Sequence, residues 1–170
     1  MKKFLILIFL LLITRLSFAL ELKSSAFGNG DYIPSRYTCD SLNFSPPLEW
    51  KGVPPQTKSF VIICDDPDAP FKVWVHWVIY NIPSSKRKLE ENIPCQGVLA
   101  DGTLQGVNDF KRLGYGGPCP PPGAAHRYFF KIYALDTILD LKEGASKREV
   151  LEKMKGHILD KGELVGLYKR

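Results

Sequence analysis

The sequence predicts a mainly β, single-domain fold with one helix near its C-terminus. Three observations carry this. Short apolar runs rich in β-branched and aromatic residues recur between turn signals. Glycine and proline, 14 and 13 of the 170 residues, punctuate the chain densely. Helical periodicity is clear in one stretch only.

In chain order, the first segment is a sorting signal and not part of the fold. Lys2 and Lys3 precede an unbroken apolar run at residues 4–13, too short to span a bilayer comfortably. Ser17 and Ala19 then supply small residues at the −3 and −1 positions of a cleavage site, although Arg15 is unusual there. Residues 1–19 are therefore expected to be a cleaved signal peptide, with an uncleaved anchor as the alternative, and residues 20–170 the domain. No cysteine precedes Cys39, so a lipid anchor is not expected.

Residues 20–27 alternate apolar or small with polar side chains before the turn signal Gly28-Asn29-Gly30-Asp31. Pro46-Pro47 and Pro54-Pro55 bracket a short segment around Trp50. Residues 59–64 form a continuous β-branched run, expected as a buried strand, and residues 73–82 and 126–135 form two more. Residues 102–108 suit a polar strand near an edge. Ser146 and Glu149 form a capping box, and Val150, Leu151, Met154 and Ile158 follow at helical spacing. Gly162 is expected to end that region, with residues 163–168 closing the domain as a strand.

Charge excludes little. The chain holds 23 Lys+Arg against 18 Asp+Glu, but three of the cations lie in the signal, leaving 20 against 18, a net of +2. Nucleic acid is therefore not an expected partner. Lys86-Arg87-Lys88 is expected as a solvated loop. Cys39, Cys64, Cys95 and Cys119 permit two disulfides in any of three connectivities, and Cys64, within an apolar run, is equally suited to be a buried thiol.

Candidate chemistry collects at three places. Asp65-Asp66-Pro67-Asp68-Ala69-Pro70 follows the first buried strand, and its two prolines stiffen the turn. Strand alternation puts Trp74, His76 and Val78 on one face. It also puts His126, Tyr128 and Phe130 together, after a Gly- and Pro-rich loop at 114–123 whose glycines permit close approach of a ligand. Two imidazoles, carboxylates and a phenol suit a phosphate-like anion, a two-His-one-carboxylate metal site, or acid–base chemistry. No serine or cysteine stands out as an activated nucleophile. Cys119 is the only one near, and nothing around it lowers its pKa.

Taken together these motifs resemble the phosphatidylethanolamine-binding protein family, also called the Raf kinase inhibitor protein family, in its bacterial branch. The resemblance covers essentially the whole domain. It runs through residues 33–40, 45–50, 65–70, Trp74-Val75-His76-Trp77, 114–123, His126-Arg127-Tyr128, 156–159 and 164–168 in order. It implies a compact β-sandwich with a few peripheral helices and a small preformed anion pocket. It places that pocket's binding groups on Asp66, His76 and His126, with Trp74, Asp68, Tyr128, Gly117 and Pro120 as lining or support.

It also implies no enzymatic activity, no cofactor and no metal. The function expected is that of an exported, periplasmic or secreted binder of a small phosphate-like anion or phospholipid headgroup. A module inhibiting a protease or kinase through its surface is the alternative, and a metal-dependent enzyme a third class. Export weakens a cytosolic kinase target.

Overall fold

Two antiparallel sheets face each other, one of three strands and one of five. The computed structural model describes residues 19–170, so the signal peptide expected at residues 1–19 lies outside the described residues apart from Ala19. The strands are β1 (Glu21–Lys23), β2 (Leu48–Lys51), β3 (Ser59–Asp66), β4 (Trp74–Pro83), β5 (Lys88–Leu89), β6 (Leu104–Gln105), β7 (His126–Leu135) and β8 (Ile158–Tyr168). A 3₁₀ turn covers Ser35–Tyr37 and the helix α1 covers Lys147–Met154. The small sheet runs β1-β2-β5 and the large one β6-β4-β3-β7-β8. No helix among the described residues is long and apolar enough to cross a membrane.

The main core lies between the sheets. Phe60, Ile62 and Cys64 of β3, Trp77 and Ile79 of β4, and Phe130 and Ile132 of β7 meet Leu22, Leu48, Trp50 and Leu89 of the small sheet. Each such large side chain contributes roughly 1.5–3 kcal/mol on burial. A second core lies behind the large sheet, where Val61, Ile63, Val78, Tyr80 and Leu135 pack on Val150 and Met154 of α1. β3 is thus covered on both faces, and all eight of its residues are buried. This is why its sequence is a continuous apolar run rather than an alternation.

The capping box forms as expected: Glu149 N donates to Ser146 Oγ, and Ser146 N donates to Glu149 Oε2 at 2.8 Å. The helix is shorter than its periodicity suggests. Gly156, at φ +79°, turns the chain, so Ile158 opens β8 and is exposed instead of completing the helical face. Gly162 ends nothing. It lies inside β8, where a Cβ would stand 2.3 Å from the Leu20 carbonyl oxygen, so it is there to let β1's leading residue approach. Lys88 is not in a loop but pairs with Glu49 in the small sheet. The polar stretch after Gly102 does supply an edge strand, whose Gln105 is fully buried and accepts from Trp77 Nε1 at 2.8 Å.

The alternation expected along β4 breaks twice, once between Ile79 and Ile82 and once beside the site. Cys64 pairs with Trp77 but the next residue, Asp65, pairs with Val75, leaving His76 without a partner across the ladder. This β-bulge turns His76 and Trp77 to the same side of the sheet. His76 meets Tyr128 and Trp77 enters the main core, while Val78 falls in the second core, on the face opposite His76. The expected grouping of Trp74, His76 and Val78 is therefore wrong for Val78.

Candidate functional site

A cavity of about 320 Å³ opens at the end of the large sheet, where β3, β4 and β7 reach the same edge. Its polar surface comes from Asp66, Trp74, His76, His126 and Tyr128, and its apolar surface from Ala69, Pro70, Phe71, Phe110, Cys119, Pro120 and Pro121.

Asp66 is the last residue of β3 and is buried with its carboxylate fully engaged on the protein side. Oδ1 accepts from Asp68 N at 2.8 Å, which bends the loop, and Oδ2 accepts from His126 Nδ1 at 2.7 Å. That bond sets the His126 tautomer, leaving Nε2 as the ring atom still available. Asp68 does not line the cavity. It accepts from the Arg127 backbone N, Nε and Nη2 at 2.7–2.9 Å, clamping the loop to β7 beside His126. The Arg127 guanidinium holds the Asp68 carboxyl down to about 2.

His76 is fixed from three sides. Its Nδ1 donates to the Gly116 carbonyl at 2.6 Å, Gly116 N donates back to the His76 carbonyl, and the rings of Phe110 and Tyr128 stand edge-on at 5.4 and 5.1 Å. Burial pushes the imidazole below its ordinary value of 6.5, so His76 is neutral at pH 7 with Nε2 as an acceptor.

Two further groups are left over. The Tyr128 hydroxyl and Trp74 Nε1 are buried and have no hydrogen-bond partner, making them two of only four such side-chain atoms among the described residues. Burial, and after it the nearby Asp66 carboxylate, pushes the Tyr128 phenol far above 10, so it keeps its proton. Buried polar groups are normally paired, because leaving one unmade costs about 1–3 kcal/mol.

The far wall is held from behind. Gly117 is not in the cavity: its N donates to Asn43 Oδ1 at 2.8 Å, and a Cβ would stand 2.5 Å from the Tyr37 carbonyl oxygen. Tyr115 OH donates to that same carbonyl, and Cys39 N donates to Pro118 O at 3.0 Å. Cys39 and Cys119 form a disulfide, with Cα atoms 5.4 Å apart. Cys64 is a buried thiol and Cys95 an exposed one, so the chain has one bridge rather than the two its cysteine count permits.

Of the eight residues expected at the site, Asp66, Trp74, His76, Pro120, His126 and Tyr128 line the cavity, and Asp68 and Gly117 support it. Sequence reasoning missed Phe110, Phe71 and the Gly116 carbonyl. Phe110 is carried by a turn whose Asp109 accepts from Val75 N at 2.8 Å, a tertiary link with no local signature. Phe71 stands at the mouth with φ +77° and is fully exposed, and Pro70 before it is the only local hint. No cluster of three or more His, Cys, Asp or Glu side chains suited to a metal occurs among the described residues.

Known proteins are similar to this chain over most of its length. A UPF0098 protein of Methanothermobacter thermautotrophicus is 61% identical over 151 residues, covering 89% of this chain and 99% of that one. One from Aquifex aeolicus is 52% identical, covering 89% of each. The crystal structure of a Chlamydia trachomatis phosphatidylethanolamine-binding protein homolog superposes with a TM-score of 0.82 at 40% identity, covering 89% of this chain and 98% of that one. An Escherichia coli member of the mammalian family does so at 0.83 and 33% identity, with the same coverage. Residues 23–169 match the family model described as phosphatidylethanolamine-binding protein, and the chain belongs to that family.

Proposed function

We propose that this chain binds a small phosphate-type anion in the 320 Å³ cavity, acts as a binder rather than a catalyst, and does so outside the cytoplasm. The observation that carries the reading is the pair of unpartnered buried donors, Tyr128 OH and Trp74 Nε1, in the same cavity as the Asp66–His126 pair. An oxyanion supplies several acceptor oxygens at once. It answers both orphan donors, while His126, oriented by Asp66 through Nδ1, offers Nε2 for a third hydrogen bond. Neutral His76 accepts through Nε2 from a protonated phosphate oxygen or from a headgroup amine. The apolar wall suits the carbon side of an ester, which makes a phospholipid headgroup the favoured source.

A binding role is supported by the state of Cys119. The lining holds no serine, threonine or free thiol, its cysteine being held in a disulfide, so the Asp66–His126 pair has no aliphatic hydroxyl or thiol to activate. That same disulfide supports export, since such bonds persist in oxidising compartments.

The test is an NMR titration of residues 20–170 with phosphate, phosphoethanolamine and glycerophosphoethanolamine. Each ligand should move the His76 and His126 ring signals, and His126→Ala should weaken binding. Millimolar anion that moves neither ring defeats the anion reading. Phosphate acting alone, without the two esters, defeats the headgroup assignment.

A further inference from the structure

The other face of the large sheet carries a second and larger concavity, about 500 Å³, where α1 crosses the outer end of β4. Its floor is aliphatic: Val73, Val75, Val107 and Leu151. None of the four is fully buried, and Val73 is 45% exposed, so this apolar strip is only partly covered.

Five cations ring the floor. Three are already engaged, Lys72 with Asp109 at 2.7 Å, Lys147 with the buried Asp65 at 2.5 Å, and Lys155 with Glu152 at 2.5 Å. Both carboxylates that line the groove, Asp109 and Glu152, are among those partners. Lys111 and Arg148 make no ion pair among the described residues, which leaves the groove with two uncompensated positive charges over an aliphatic strip. Lys111 is held there by a backbone at φ +63°, in the turn that carries Asp109.

We propose that this groove is a docking site for an acidic segment of a partner protein, one that presents an aliphatic side chain between carboxylates. The aliphatic residue fills the Val73–Val75–Leu151 strip, and the flanking carboxylates pair with Lys111 and Arg148. The aliphatic floor gives a sugar–phosphate backbone nothing to pair with. The mature chain's small net charge also supplies little long-range pull on a polyanion. The groove and the anion cavity lie on opposite sides of β4, joined by the turn that carries Asp109 and Lys111 to one and Phe110 to the other.

The probe is the acetylated, amidated peptide Gly-Glu-Asp-Leu-Glu-Glu-Gly, titrated into residues 20–170 and followed by amide NMR. Saturable shifts are expected at Val73, Val75, Val107 and Leu151. The double variant Lys111→Asp/Arg148→Glu should weaken binding roughly tenfold or more. Lys153→Glu, on the same helix but outside the groove, should change it less than about twofold. Replacing the peptide's leucine by serine should also weaken binding several-fold. His126→Ala should leave it intact, which separates this site from the anion cavity.

Absence of saturable shifts in the groove overturns the proposal, as do shifts confined to His76 and His126. So does an equal loss in Lys153→Glu, or equal binding of the leucine and serine peptides, because either marks plain charge attraction. Duplex DNA or anionic vesicles shifting the groove signals more strongly than the peptide overturn the choice of partner. Lys111→Asn/Arg148→Gln repeats the test without charge reversal should the reversed pair fail to fold, and unweakened binding in it refutes the assignment.

Discussion

Replacing Tyr128 by Phe should make the free protein more stable and the anion complex weaker. The ring is fully buried and packs edge-on against His76 at 5.1 Å, so the substitution keeps the shape and removes only the hydroxyl. That hydroxyl has no partner in the free chain. Deleting it recovers the cost of burying an unmade hydrogen bond, about 1–3 kcal/mol. For a domain of this size 2 kcal/mol corresponds to a rise of roughly 4–8 °C in Tm. In the complex the hydroxyl donates to an anion, and charge-assisted bonds contribute about 1.5–3 kcal/mol, so affinity should fall roughly tenfold to hundredfold. Thermal melts without ligand, paired with calorimetric titration of phosphate, measure both ends. A variant that melts lower than wild type and binds phosphate equally well would refute the reasoning, since the hydroxyl would then have a structural partner and no role toward the ligand.

Two further expectations concern the same region. His76 is buried and its imidazole titrates below 6.5, so between its folded value and 6.5 the unfolded chain holds the extra proton. Stability is therefore complete above about pH 6.5 and falls as the pH is lowered toward the folded value. Urea midpoints at about pH 7.5 and pH 5 should show this loss in wild type and a smaller one in His76→Phe, whereas equal losses would rule out His76 as the cause. Reducing the Cys39–Cys119 bond, which spans a sequence separation of 80, should cost up to about 4.5 kcal/mol from chain entropy alone. A melt unchanged by dithiothreitol, with reduction verified by mass, would show that the other links to that wall suffice.

Much of this was legible in the sequence because burial leaves a pattern. The uniform apolarity of 59–64 follows from β3 having a core on each face, and the alternation at 126–135 follows from β7 sending Tyr128 inward and Arg127 outward. The Ser146 capping box is a local device and was readable as one. Parity failed at Val78 because a bulge is decided by the neighbouring strand's pairing, which no single strand records. Gly162 looked like a terminator because close backbone approach and chain termination select the same residue. The convergence of Asp66, His76 and His126 rested on resemblance. Phe110 escaped altogether, since its place depends on Asp109 reaching Val75 across the fold.

The unpaired position of His76 has a consequence for how such a cavity can change. Since Trp77 and Val75 already pair with the adjacent residues Cys64 and Asp65, the ladder closes on either side without it. The imidazole is in effect a supernumerary residue, inserted between two stretches of strand already in phase. Deleting that one position should restore an ordinary ladder with Trp74 still at the cavity and Trp77 still in the core, at the expense of the link to Gly116. A lineage carrying this scaffold can therefore acquire or discard a buried histidine through a single codon with the strand pairing kept, leaving only Phe110 and Tyr128 to close over the vacated space.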